Sequence, residues 1–318
     1  MTDLILTGRE RALLSRDYSI DDVLRFSRMP REAVEEAAQR IFRELSANAK
    51  PAEKPVCAFI SAQPGSGKSV FIRALKATPA GAPFLELSMD DYRSYHPLYA
   101  ELEDRIAAHW QDRVEDDLDS PGSDIADFTQ LFAGDVVDRI EELACGADGG
   151  PAYPILYEWA MRASIEPLNA MRRLRERGYR IYVGFIAVKR RISLAACRQR
   201  DEIMNSKGRL FRTIPDSFHR LSIERLPGAI NDIYRIGYGE EDLIDAFAIV
   251  DRSGKVLWRN GDSDLPGDVF ADLLENGPLD VENDSAYSEA AYERESRGLP
   301  RKKQRRRNCP KHNEPEVK

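Results

Sequence analysis

Apolar positions in this chain fall into two alternating patterns, short solid runs and longer stripes at helical spacing. The runs at Val56-Cys57-Ala58-Phe59-Ile60, Phe84 to Met89, Tyr153 to Tyr157, Tyr179 to Val188 and Ala246 to Val250 read as strands. The last of them pairs with Lys255 to Trp258 as a hairpin around Arg252-Ser253-Gly254. Between the runs lie helical stripes. One carries Leu98, Leu102, Ile106 and Trp110. Another runs from about Asp124 to Cys145, after the breaker Ser120-Pro121-Gly122. Others span Pro167 to Arg177 (closed by Gly178), Arg190 to Met204, Pro215 to Leu226-Pro227, and Val269 to Leu274. Strand and helix alternating in this way predict an α/β fold, a mostly parallel sheet flanked by helices.

The ends depart from that alternation. Asp17 to about Ala49 is helical throughout, with Ser19 as a cap and Pro30 opening a stripe of Ala33, Ala37, Ile41, Phe42 and Leu45. The Pro- and Lys-containing stretch 49–55 is a linker by composition. Residues 1–50 are therefore expected to be a helical segment packed on the core, with a docking surface as the alternative. Residues 51–275 are expected to form the main domain, and 276–318 a disordered basic tail ending in Arg301-Lys302-Lys303-Gln304-Arg305-Arg306-Arg307.

Composition narrows the function classes. A net charge of −7 over 318 residues excludes a protein built to coat nucleic acid, so nucleic-acid contact is left to the basic tail. A hydrophobic content of 42% supports a sizeable core, and no run is long enough to span a membrane. The N-terminus lacks the basic-then-apolar pattern of a signal peptide. Cys57, Cys145, Cys197 and Cys309 have no paired spacing, which fits a reduced, cytoplasmic protein.

The chemistry centres on the strand at Val56 and the segment directly after it, Gln63-Pro64-Gly65-Ser66-Gly67-Lys68-Ser69. A strand, a small-residue turn and a helix start make a phosphate-binding loop. The glycines let successive N–H groups converge, and the helix adds its positive end. Lys68 reaches the β- and γ-phosphates and the Ser69 hydroxyl binds Mg2+, with ATP or GTP as donor. Ala62 stands where such loops usually have their first glycine.

Asp90, at the end of the next strand, is placed to take the proton of an attacking hydroxyl. His96, beside Pro97, is read as a turn residue, and Glu158 again ends a strand. The basic loop Asn205 to Thr213, with Arg198 and Arg200 before it and Arg212 within it, reads as a lid whose arginines meet the transferred phosphoryl group.

Four blocks in order resemble the zeta toxin family of P-loop kinases, over roughly residues 50 to 260. They are Gln63 to Ser69; Asp90-Asp91-Tyr92-Arg93 with His96-Pro97; Glu158 with Arg162; and Arg200-Asp201-Glu202 leading to Arg212, Thr213 and His219. The resemblance implies phosphorylation of a hydroxyl on UDP-N-acetylglucosamine or a related UDP-amino sugar, poisoning cell-wall synthesis. It implies Asp90 as base, Lys68 and the loop on the phosphates, Arg200 and Arg212 as clamps, and Glu158, Arg162 and Asp135 on the substrate. A cognate antitoxin is the partner it suggests.

The chain departs from the family at two positions. Trp159 stands where these toxins often have glycine, and Ala170 falls near a substrate-contacting threonine. Two rivals remain open, a polynucleotide 5′-kinase and a non-catalytic nucleotide-binding protein. The His96-Pro97 and Glu158 blocks weigh against the first and the basic tail weakly for it, and retention of Lys68, Ser69, Asp90, Arg200 and Arg212 together weighs against the second.

Overall fold

In the computed structural model, which describes residues 5–78, 84–111, 113, 120–147, 149–206, 214 and 216–277, strand β1 (Val56–Ala62) lies inside a six-stranded sheet. Every residue of β1 after Val56 is buried, as a strand covered on both faces requires. Its parallel neighbours are β3 (Ile155–Glu158) and β4 (Arg180–Ile186). Outside β3 lies β2 (Leu85–Ser88). Outside β4 lie β5 (Ala246–Val250) and then β6 (Val256–Arg259), the one antiparallel strand among the described residues. The order β2-β3-β1-β4-β5-β6 slots β3 between β1 and the strand that follows it in sequence. Ile60 and Ser88 are both level with Glu158, so β2 and β3 end side by side and β1 runs two residues further, to Ala62.

The two faces of β1 alternate as the pleat demands. Cys57 and Phe59 pack toward α3 (Arg31–Ser46), α7 (Pro121–Ala144), α8 (Ile165–Glu176), α10 (Asp216–Ile233) and α11 (Pro266–Asn276). Ala58, Ile60 and Ala62 pack toward α4 (Lys68–Lys76) and α9 (Arg190–Ser206) through Phe71, Ile72, Leu75 and Ile192.

A second core joins α1 (Gly8–Ser15), α2 (Ile20–Ser27) and α6 (Tyr99–His109) to the first turns of α7 through Leu13, Phe26, Leu102, Ile106 and Phe128. Buried Asp124 accepts bonds there from Tyr18 Oη (2.7 Å), Trp110 Nε1 (2.7 Å) and Arg16 Nη1 (2.9 Å). Residues 8–46 thus pack on α7 from two sides. No helix among the described residues is long and apolar enough to cross a membrane.

Several local expectations are corrected. Ser120-Pro121-Gly122 starts α7 instead of breaking the chain: Ser120 caps it, with Ser123 returning the bond, and Pro121 takes the first turn, where a missing N–H costs nothing. α10 does not end at Pro227 but runs on to Ile233, because Leu226, Ile230 and Ile233 are all fully buried. The strand expected through Met89 stops at Ser88, and Met89–Tyr92 is a single helical turn, α5, continued by Arg93–Tyr95 as 3-10 helix. The π-helical segment Tyr234–Glu240 carried no sequence signal of its own.

Candidate active site

The loop after β1 has the geometry that binds phosphate. Gly65 (φ +74°) and Gly67 (φ +105°) adopt left-handed backbone, and a Cβ at Gly65 would lie 2.0 Å from the Ser193 carbonyl oxygen. Ser66 N–H closes the turn on Gln63 O (3.2 Å), and Gly67 O accepts the Phe71 N–H (3.0 Å) of the first turn of α4. Gln63 is fully buried, its Nε2 donating to Val188 O. Ala62 is the last residue of β1, level with Ile186 and not in positive φ, so the missing first glycine costs the turn nothing. The buried Ser66 Oγ and Gln63 Oε1 have no hydrogen-bond partner among the described residues. Of the two, the Ser66 hydroxyl can donate, and a buried donor left open in such a turn fits a bound phosphate.

The loop forms one wall of a cleft of about 530 Å3. Lys68, at the start of α4, lies 3.7 Å (Nζ to Oε1) from Glu158 at the end of β3, both largely shielded from solvent. The strand order makes this meeting, since β3 is the neighbour of β1. Asp90 faces the same cleft from α5, with 61% of its side chain exposed.

Arg93 holds Asp90 in place. Its Nε donates to Asp90 Oδ1 (3.0 Å). Its Nη1 donates to Ala126 O (2.9 Å) and Thr129 Oγ1 (3.0 Å), and its Nη2 to Gln130 Oε1 (2.9 Å), all on α7. A buried guanidinium engaged on this many sides fixes the carboxylate at the edge of the cleft. His96 sits apart from this chemistry: Nε2 lies 3.0 Å from Phe26 O, Nδ1 accepts the Leu98 N–H (3.2 Å), and burial lowers its pKa. It pins the turn.

The far wall comes from α7 and α8. Asp138 on α7 lines the cleft. Its pKa is raised by desolvation, opposed by Arg173 and reinforced by Glu141 and Asp135. Asp135, one turn earlier, does not line the cleft in this structure, and burial raises its pKa too. On α8 the cleft face is Glu166, Asn169 and Arg173, at helical spacing, while Ala170 is buried in the core. Buried Glu141 braces Arg173 from behind, accepting its Nε (3.2 Å) and Nη2 (3.1 Å) and the Tyr157 hydroxyl (2.5 Å).

Between β3 and α8 the chain turns sharply. Met161 is buried with φ +28°, strained backbone for a residue with a Cβ. Past it, the Arg162 guanidinium lies over the Phe218 ring at 4.2 Å from its centroid. Trp159 packs against Tyr157 (5.5 Å) and Phe59 (6.4 Å) and lines the cleft. Arg200 on α9 faces the cleft as well, whereas Arg212 and Thr213 lie outside the described residues.

The structure thus brings Lys68, Asp90, Glu158, Arg162 and Arg200 around one cleft and leaves Asp135 off it. Sequence reasoning missed Gln130, Asp138, Asn169, Arg173 and Phe218. For Asp138 and Arg173 a signal existed: polar residues interrupting the apolar stripes of α7 and α8. Among the described residues no three His, Cys, Asp or Glu side chains cluster as a metal cage. A Mg2+ site needs no such cage, since this ion keeps waters and takes substrate phosphates with one or two protein oxygens, and the Ser69 hydroxyl and the cleft carboxylates are oxygens of that kind.

The zeta toxin family model matches residues 39–263. Toxin PezT of Streptococcus pneumoniae serotype 4 (strain ATCC BAA-334 / TIGR4) is 24% identical over 191 residues, covering 60% of this chain and 68% of that protein. A chain from the solved PezAT chromosomal toxin-antitoxin system of Streptococcus pneumoniae superposes with a TM-score of 0.62 at 18% identity, covering 86% of this chain and 98% of its own.

Proposed function

The chain belongs to the zeta toxin family, whose members are kinase-like, and on that premise we propose that it transfers the γ-phosphoryl group of ATP or GTP to a hydroxyl of a UDP-amino sugar such as UDP-N-acetylglucosamine. The observation that carries the proposal is the sharing of one cleft by the phosphate loop, Asp90 and Glu158. Phosphoryl transfer asks mainly for positioning and charge stabilisation, and each has a candidate here.

Lys68 and the loop N–H groups hold the donor phosphates, and the open Ser66 hydroxyl adds a further donor. The Ser69 hydroxyl would hold Mg2+ brought with the nucleotide, and the ion would supply neutralisation of phosphate charge there. Asp90, oriented by Arg93, accepts the proton of the acceptor hydroxyl. Arg200 supports the transferring group, with Arg212 assigned the same role from outside the described residues. Glu158 accepts hydrogen bonds from the sugar hydroxyls once the phosphates draw Lys68 away, and Asp138 lies across the cleft for another. Arg162 and Arg173 face a diphosphate.

Poisoning of cell-wall synthesis in the cytoplasm follows from that acceptor. A cognate antitoxin is the expected partner, as the PezAT system pairs the two. The test offers γ-labelled ATP with UDP-amino sugars, with 5′-hydroxyl oligonucleotides, and with no acceptor. Label on the sugar alone supports the proposal. Label on the oligonucleotide, or no transfer despite nucleotide binding, overturns it in favour of a polynucleotide kinase or a nucleotide-binding protein.

A further inference from the structure

Beyond β5 the chain makes a tight turn built on Asp251. Its Oδ1 accepts the N–H of Ser253 (2.9 Å) and Lys255 (3.0 Å) and the Ser253 hydroxyl (2.7 Å). Gly254 completes the turn at φ +86°. The turn directs Arg252 inward, where it is only 8% exposed. Arg252 Nε donates to Ser66 O (3.0 Å) and Nη2 to Gly65 O (3.2 Å), from 186 residues further along the chain. A buried cation therefore grips the phosphate loop by two consecutive carbonyls.

The peptide plane makes this consequential. In a planar trans peptide the C=O and the following N–H point opposite ways. Fixing the carbonyls of Gly65 and Ser66 fixes the N–H groups of Ser66 and Gly67. The first closes the turn on Gln63, and the second heads α4. Charge-assisted bonds to a carbonyl also polarise the peptide, making its N–H a better donor. Gly65 and Gly67 have no side chains to hold their positive φ, so an unclamped loop would have more freedom to lose on binding.

We propose that Arg252 is a positioning residue for nucleotide binding, presetting the phosphate loop through the carbonyls of Gly65 and Ser66. The inference rests on the phosphate-loop part of the proposed function and is independent of the acceptor. Its test is calorimetric titration of the full chain with ATP·Mg2+, comparing the natural protein with Arg252→Gln and Arg252→Lys, alongside the melting temperature of each without nucleotide.

Loss of charge-assisted bonding predicts roughly 10- to 100-fold weaker ATP·Mg2+ binding for Arg252→Gln. Arg252→Lys, which keeps a cation for one of the two carbonyls, should recover part of that loss. Both variants should melt within about 2 °C of the natural chain. Unchanged affinity in Arg252→Gln overturns the inference. So does an affinity loss that Arg252→Lys fails to recover while both melting temperatures drop, which would make Arg252 a prop of the β5 turn. Failure of the natural chain to bind ATP·Mg2+ is a separate result, and it overturns the phosphate-loop reading itself.

Discussion

Replacing Asp90 with asparagine separates catalysis from stability by magnitude. The asparagine side chain would keep an oxygen for the Arg93 Nε–H, now 3.0 Å from Oδ1, and Arg93 would keep its three contacts on α7. The substitution therefore removes charge and basicity and leaves shape. Because 61% of the Asp90 side chain is exposed, the lost ion pair is worth less than about 1 kcal/mol of folding stability. A general base typically contributes about 10² to 10⁴ in rate, which is about 3 to 5 kcal/mol of barrier. Turnover of ATP with UDP-N-acetylglucosamine should fall by that factor in Asp90→Asn while the melting temperature stays within a few degrees. ATP·Mg2+ affinity, read by calorimetry, should change by no more than a few-fold. If affinity and turnover collapse together, Asp90 holds the metal and the base lies elsewhere, with Glu158 next in line. Turnover within a few-fold of the natural chain refutes the assignment outright.

Other perturbations test separate parts of the molecule. Lys68→Ala should abolish phosphoryl transfer with the circular-dichroism spectrum unchanged, and undiminished turnover in the folded variant would remove the loop from the mechanism. His219 is buried against Ser193 Oγ (2.8 Å), and burial first, then Arg190, lowers its pKa from 6.5 to about 4. The unfolded chain therefore binds the extra proton between those values, so stability is lost as pH falls from about 6.5 toward 4. From pH 7 to 5 the loss from this group should be about 2 kcal/mol, and urea titrations of His219→Gln should show a flatter slope over that window. Asp124→Ala leaves Arg16, Tyr18 and Trp110 without their shared acceptor and should cost about 3 to 5 kcal/mol in urea denaturation, and a smaller loss would show that solvent reaches this cluster.

The features legible in the sequence were local ones. A phosphate loop is contiguous, so strand, turn and helix stand together from Val56 to Lys76, and the glycines announce the backbone that only they adopt. The alternation of apolar runs and stripes identified every strand of the described residues to within two residues, because buried strands need unbroken apolar runs. It erred where one residue type serves two purposes. A serine followed by proline begins helices as readily as it ends them, and a proline inside α10 is carried by the burial of its neighbours. The rest came from long-range packing, because hydrogen bonds across the chain leave no periodicity. The insertion of β3 beside β1 sets Glu158 against Lys68, although the two are far apart in sequence. α7 supplies the contacts that fix Arg93 and through it Asp90, and the face of α8 that carries Asn169 and Arg173, not Ala170, turns to the cleft. Arg252 reads in the sequence as one more charged turn residue. Only the fold, by ending β5 beside the phosphate loop, buries that charge against two carbonyls and gives it something to hold.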